Sequence, residues 1–311
     1  LAVPADLYIA HYVAGLAAAA AVARRHRAML GFDAEDFHSG EGGGGSAESF
    51  RMKMVETIEG ANLPSCTYIT AASPLIGKAY AARYGVTPTT VLNVFPLDLV
   101  ATPARLDSVS GEPASLRAYW FSQTIGLDRG LQTFLQAMTR TRTRVTLDVR
   151  GGNQWGGGDR LMALARDLGI GDRVSLLPKA SPEQMVALAA AYDVGLSLEP
   201  EITENRRLCL GNKIFTYLIA GLPVVMSDTP AQRDLAVDLG AAATLVSLAD
   251  PGAMATALDR LGSSPEALVQ AKADAFRLGR DRYNWDVEKN ALLQTIAEVF
   301  SRRERELACR H

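Results

Sequence analysis

The sequence predicts an α/β protein built from two doubly wound, Rossmann-like domains, the first less complete than the second. Three observations predict it. Short β-rich apolar runs alternate with helical patterns nearly from end to end, the signature of parallel strands joined by crossover helices. Six such runs fall in the second half of the 311-residue chain and four in the first. Between the halves, DLVATPARLDSVSGEPAS (98–115) is rich in Pro, Ser, Gly and Asp and carries no periodicity, which marks it as a linker.

In order, the first-half strands are expected at Asp6 to Ala10, Met29 to Asp33, Cys66 to Ala71 and Thr89 to Phe95. The EGGGGS run (41–46) sits inside this domain and reads as a loop. In the second half, Arg117 to Gln123 is a strand, and Leu131, Phe134, Leu135 and Met138 then share one helical face. A strand at 145–151 precedes a helix carrying Leu161, Leu164, Ala165 and Leu168. A strand at 173–178 precedes a helix start with Ser181 as cap, Pro182 at the first position and Gln184 closing a capping box. Strands at 193–198, 223–227 and 242–248 follow, with helices near 213–220 and 230–239 and two more reaching about 280. The expected domains are 1–112 and 113–285, with a last helix over 286–311 crossing back to the first.

Composition excludes several classes. With 32 Lys+Arg against 34 Asp+Glu the net charge is -2, which argues against a nucleic-acid or polybasic membrane surface. Apolar residues at 48% and charged residues at 21% are those of a globular chain. Cys66, Cys209 and Cys309 have neither CxxC spacing nor a His partner at ligand spacing, so a disulfide framework and a structural zinc site are not expected, and a reducing compartment fits. The apolar run Tyr12 to Ala23 is too short to span a bilayer, and its basic cluster follows it, the reverse of a signal peptide.

Parallel sheets bind ligands beyond the carboxyl ends of their strands, so the loops leaving those ends carry the chemistry. The most informative is LGNKIFTYLIAGLPVVMSD (210–228). Asn212 is expected to cap a helix that Gly221 ends in a left-handed turn before Pro223 restarts a strand. Lys213, in the first turn, opposes the helix dipole unless an anion neutralises it, so Lys213 with backbone N–H groups forms a diphosphate site. Placement alone leaves open a solvated surface lysine. The Trp155 loop, GGNQWGGGD, lacks the Walker lysine-serine ending. Glu35, Asp36 and His38 cluster after a strand, where Asp36 or His38 would orient or deprotonate a hydroxyl, or simply cap a turn.

GNKIFTYLIAGLPVV resembles the P-N-K-x-F-E-Y-x-A-x-G-x-P-V-V pattern of nucleotide-sugar-dependent glycosyltransferases with two Rossmann-like domains, the GT-B architecture, and especially their large retaining family numbered four. It matches at Asn212, Lys213, Phe215, Tyr217, Ala220, Gly221, Pro223, Val224 and Val225. SQTIGLDRGL, with Gly126, Arg129 and Gly130, resembles the turn opening the donor domain. RGGNQ, DRVSLLP, DVGLSL and YNWDVEKNALLQTIAEVF resemble later segments, and FDAEDFHSGE resembles the Y-D-x-H-E/D segment of the acceptor domain. By the same comparison the chain looks truncated at its N-terminus. It departs from the family where two glutamates eight positions apart are usual: Leu208 and Thr216 stand there. Glu199, Glu201 or Glu204 would substitute, or serve as solvated loop carboxylates.

The resemblance implies transfer of a sugar from a nucleoside diphosphate sugar, with retention, to a glycan, lipid-linked or small-molecule acceptor. It implies no tightly bound cofactor or metal, so Arg129 and Lys213 neutralise the leaving diphosphate, with Gly126 allowing close backbone approach and Arg150 as a further cation. Backbone near Pro178 and Lys179 would read the base, and Thr216 would bond the ribose. A cytoplasmic place in cell-envelope glycan synthesis, with peripheral contact at the inner membrane face, goes with it. The rival readings are a non-catalytic nucleotide-sugar-binding protein and an epimerase of the same fold, the latter lacking an evident carboxylate set.

Overall fold

A computed structural model describes residues 3–42, 46–99 and 115–309. Half of the EGGGGS run and most of the linker at 98–115 therefore lie outside the described residues. Two compact units result: Leu1–Asn93 with Glu201–Leu210 and Asp286–His311, and Val94–Pro200 with Gly211–Trp285. Glu201–Leu210 thus joins the first unit, whereas the sequence reading gave it to the second.

The chain opens with β1 (Leu7–His11), α1 (Tyr12–His26), β2 (Met29–Ala34), α2 (Ser46–Asn62), β3 (Tyr68–Ala71), α3 (Pro74–Tyr84) and β4 (Thr89–Thr90). The second unit begins with β5 (Ser115–Thr124), α4 (Leu131–Met138), β6 (Arg144–Gly152), α5 (Gly157–Asp167), β7 (Val174–Leu177), α6 (Met185–Ala189) and β8 (Val194–Ser197). Next come α7 (Glu204–Leu208) of the first unit, then α8 (Asn212–Ile219), β9 (Val224–Ser227), α9 (Pro230–Leu239), β10 (Ala243–Val246), α10 (Pro251–Ser263) and α11 (Pro265–Asp281) of the second. Almost all of α12 (Trp285–Ala308) returns to the first.

The first unit is a four-stranded parallel sheet in order β1-β2-β3-β4. The Tyr12 to Ala23 run forms α1, whose alanines favour helix and whose Leu16, Ala20 and Ala23 join a core with Phe32, Leu63, Ile76 and Tyr80. No described helix is long and apolar enough to cross a membrane. Ser73 caps α3 by accepting from Leu75 N and Ile76 N, with Pro74 at the first helical position. The strand expected to reach Phe95 shrinks to Thr89–Thr90, because Leu92 N donates to the Glu288 carboxylate at 2.7 Å instead of continuing the ladder.

The second unit is a six-stranded parallel sheet in order β10-β9-β8-β5-β6-β7. From β5 the chain winds outward to β7, then crosses to β8 on the other side of β5. Strand order therefore reverses between β5 and β8, and that switch point is where a doubly wound sheet opens a crevice beyond its carboxyl ends. Trp120, Phe134, Leu135, Leu147 and Leu196 fill the core beneath it.

Candidate functional site

A cavity of about 400 Å³ in the second unit is lined at the strand ends by Phe121, Ser122, Gln123 and Arg150, by Lys179, and by Asn212 and Lys213 at the start of α8. That volume lies within the range of small-molecule sites.

Every side chain of α8 from Lys213 to Ile219 is buried. Its cap is Gly211, which has no side chain to offer, so Asn212 is the first helical residue and not the cap expected. The helix ends as expected: Gly221 is left-handed at φ 70, its N–H bonding Leu218 O while Leu222 N bonds Tyr217 O. Lys213 is 8% exposed and is not a solvated lysine. Its Nζ lies 3.6 Å from Glu199 Oε1 and 5.8 Å from the centre of the Trp120 ring.

Glu199 was one of three carboxylates read as a stand-in or a solvated loop residue; it is 5% exposed. Arg129 approaches its Oε2 at 3.6 Å, so two cations flank one carboxylate. Its backbone is fixed by Ser227 Oγ, which accepts from Glu199 N at 2.8 Å and donates to Glu199 O at 3.1 Å. Its signal in the sequence was its place directly after the DVGLSL strand. Glu201 and Glu204 are exposed, and Glu201 pairs with Arg207 at 2.9 Å. Thr216 is fully buried and its hydroxyl donates to Asn212 O at 3.1 Å, within its own helix and away from the cavity wall. Leu208 lies in the first unit.

Gly126 precedes a 3-10 turn over Leu127–Arg129, and Gly130 follows it at φ 71. A Cβ on Gly157, at the start of α5, would lie 2.0 Å from Ile125 O, so the two glycine-bearing loops meet backbone to backbone. Arg129 is thereby carried on a short turn whose side chain is 36% exposed. Arg150 has structural partners: Nε donates to the Tyr119 hydroxyl at 2.8 Å and Nη1 to Pro178 O at 2.7 Å. Pro178, in the stretch of backbone expected to read the base, accepts one bond through its carbonyl, and exposed Lys179 lines the cavity.

In the first unit the side chains of Asp36 and His38 have separate hydrogen-bond partners. Asp36 Oδ1 accepts from Asn205 Nδ2 at 2.8 Å. His38 is 4% exposed, its Nδ1 3.0 Å from Glu41 Oε1 and its backbone N–H donating to the Tyr80 hydroxyl at 3.3 Å. The His38 ring is enclosed, and its Nε2 has no hydrogen-bond partner among the described residues. Burial disfavours the imidazolium, but the Glu41 hydrogen bond and the charges of Glu41, Asp36 and Glu59 outweigh it, and the His38 pKa lies above 6.5. Glu41 lies below 4.5, held there chiefly by the His38 bond and also by Arg51.

Both shifts set a stability window. The raised His38 contributes stability present below pH 6.5 and lost as pH rises through its folded value; the lowered Glu41 contributes stability present above 4.5 and lost as pH falls through its own. We expect the melting temperature of the first unit to peak between these values and decline toward pH 8, and His38→Gln to flatten the alkaline side. Melting curves across this range, in both proteins, check it.

The class this fold defines is the GT-B glycosyltransferase architecture. Sucrose-phosphate synthase from Thermosynechococcus elongatus is similar at a TM-score of 0.77 and 17% identity, over 95% of this chain and 74% of that one. Anabaena HepE, solved with UDP-glucose, is similar at 0.74 and 16% identity, over 94% of this chain and 79% of that one. In sequence, residues 121–264 match the family model of the glycosyl transferases group 1, the relationship to which GNKIFTYLIAGLPVV pointed. The D-inositol 3-phosphate glycosyltransferase of Mycolicibacterium smegmatis is 30% identical over 150 residues, which cover 46% of this chain and 31% of that protein. The chain thus spans about a third of the length of the curated relatives it matches.

Proposed function

We propose that this chain transfers a sugar, with retention, from a uridine diphosphate sugar to a hydroxyl of a glycan, lipid-linked or small-molecule acceptor. The observation that carries the reading is the Lys213–Glu199–Arg129 array at the switch point of the second sheet, in a segment that matches the group 1 transferases. Lys213 and Arg129 bring two cations to Glu199 beside the cavity, and Arg129 also faces Asp128 at 3.8 Å. A leaving diphosphate needs such cations, and no tightly bound cofactor is required for it. Glu199 keeps both cations in place before the anion arrives. The uridine preference is supported by the UDP complexes of Anabaena HepE. A cytoplasmic place in cell-envelope glycan synthesis belongs to the same reading.

Calorimetric titration of the chain with UDP, GDP, ADP and UDP-glucose tests it. We expect selective binding of the uridine ligands, with Kd of about 1 µM to 1 mM, the span of weak to moderate affinities near -8 to -4 kcal/mol. Absence of binding to every nucleotide at millimolar concentration would sink the reading.

A further inference from the structure

A second constellation lies in the first unit, at the carboxyl ends of β1 and β2. His11 and Asp33 are register partners in the parallel pairing of these strands. His11 Nδ1 lies 3.0 Å from Asp33 Oδ2. Glu35 follows β2, and the ligand atoms of His11, Asp33 and Glu35 all lie within 4.8 Å of one another. Spacing in the sequence hides this trio, because only strand pairing brings residue 11 to residues 33 and 35.

Further features mark the trio as a binding site and not merely a surface ion pair. Thr70 Oγ1 donates to Asp33 Oδ1 at 2.7 Å, fixing one carboxylate oxygen and orienting the other toward His11, the support that ligating carboxylates receive from outer neighbours. The Tyr68 hydroxyl is buried and has no hydrogen-bond partner among the described residues, in a residue 7% exposed. Tyr68 pairs with Gly31, and a Cβ on Gly31 would lie 2.7 Å from that hydroxyl. Gly31 and Asp33 share one face of β2, so the Tyr68 ring lies on the face that carries Asp33.

We propose that His11 Nδ1 and the carboxylates of Asp33 and Glu35 bind one divalent transition-metal ion of the Zn²⁺ or Mn²⁺ class. One imidazole with two carboxylates suits these ions, whereas Mg²⁺ and Ca²⁺ favour all-oxygen sets. Three protein ligands leave positions for water. The His11 side chain is 58% exposed, which gives the ion a path from solution. The inference does not depend on the glycosyltransferase reading, since every group in it belongs to the first unit.

Titration of the full chain with Mn²⁺, followed by electron paramagnetic resonance and calorimetry with Zn²⁺ as competitor, tests it. We expect one Mn²⁺ per chain, displaced by Zn²⁺, with affinity reduced at least about 10-fold in His11→Ala and in Glu35→Gln, the scale on which metal sites respond to lost ligands and supports. His26→Ala, at a histidine elsewhere on α1, should leave binding unchanged. Thr70→Val should weaken it without abolishing it. No binding at millimolar Mn²⁺ and Zn²⁺, or binding that survives both ligand variants, overturns the proposal. Lys213→Met should bind the metal as the parent does, so failure of the donor reading and failure of this one are separable.

Discussion

Lys213→Met lowers the affinity of the chain for UDP by about 10- to 100-fold, the range expected when a hydrogen bond to a charged group worth roughly 1.5–3 kcal/mol is removed. Methionine keeps much of the stem's volume in a helix turn that is buried throughout, so the change removes charge more than packing. It also leaves Glu199, 5% exposed, with Arg129 as its remaining flanking cation of the array. Breaking a buried pair by removing one partner is destabilising, so the single variant should also melt earlier. The double variant Lys213→Met, Glu199→Gln separates the two effects: removing both charges should recover stability without recovering UDP affinity. Calorimetry and thermal melting on the two variants measure both quantities. If the single variant binds UDP as tightly as the parent, Lys213 does not hold the diphosphate.

The parts legible in the sequence were those that local pattern decides. Alternating β-rich runs and helical faces placed six strands in the second unit and four in the first, and the observed sheets have those counts. Ser181, Pro182 and Gln184 do form the expected capping box, with Ser181 N donating to Gln184 Oε1 at 3.3 Å, although it opens a 3-10 turn that leads into α6. What local pattern could not decide is burial. Lys213 and Glu199 are polar residues beside loops, and distant neighbours such as Trp120 of β5 and Ser227 of β9 enclose them. Thr216 sits in a helix buried on every side, where its hydroxyl turns to the carbonyl four residues back. His38, close to Asp36 in sequence, is walled in by Tyr80 and Phe32, and the Tyr80 hydroxyl lies 2.7 Å from the fully buried Glu59. Tertiary neighbours, not spacing, decided each of these roles.

The position of Lys213 depends on how α8 is held, and one backbone support is a glycine far from the cavity in sequence. A Cβ on Gly279 of α11 would lie 2.6 Å from Ile219 N and 2.6 Å from Leu218 C, so the two helices cross backbone to backbone. These are main-chain atoms of a buried helix and cannot swing aside as a side-chain tip does. Gly279→Val therefore forces α11 from α8 and should cost about 1–3 kcal/mol or more, the penalty for overpacking a filled interior. Because α8 carries Asn212 and Lys213 into the cavity, UDP affinity should fall with stability, although the substitution touches no lining residue. Gly60, within α2, supplies the contrast: its Cβ would meet only Tyr84 Cε1 at 3.9 Å. With space available, Gly60→Ala should raise stability by about 0.5–1 kcal/mol through helix propensity alone and leave UDP binding as it was. Denaturant melts and UDP titrations on both variants decide the matter. Equal stability of Gly279→Val and the parent would mean that α8 is not pinned by this crossing, and unchanged affinity in a destabilised variant would mean that Lys213 is positioned by Glu199 rather than by its helix.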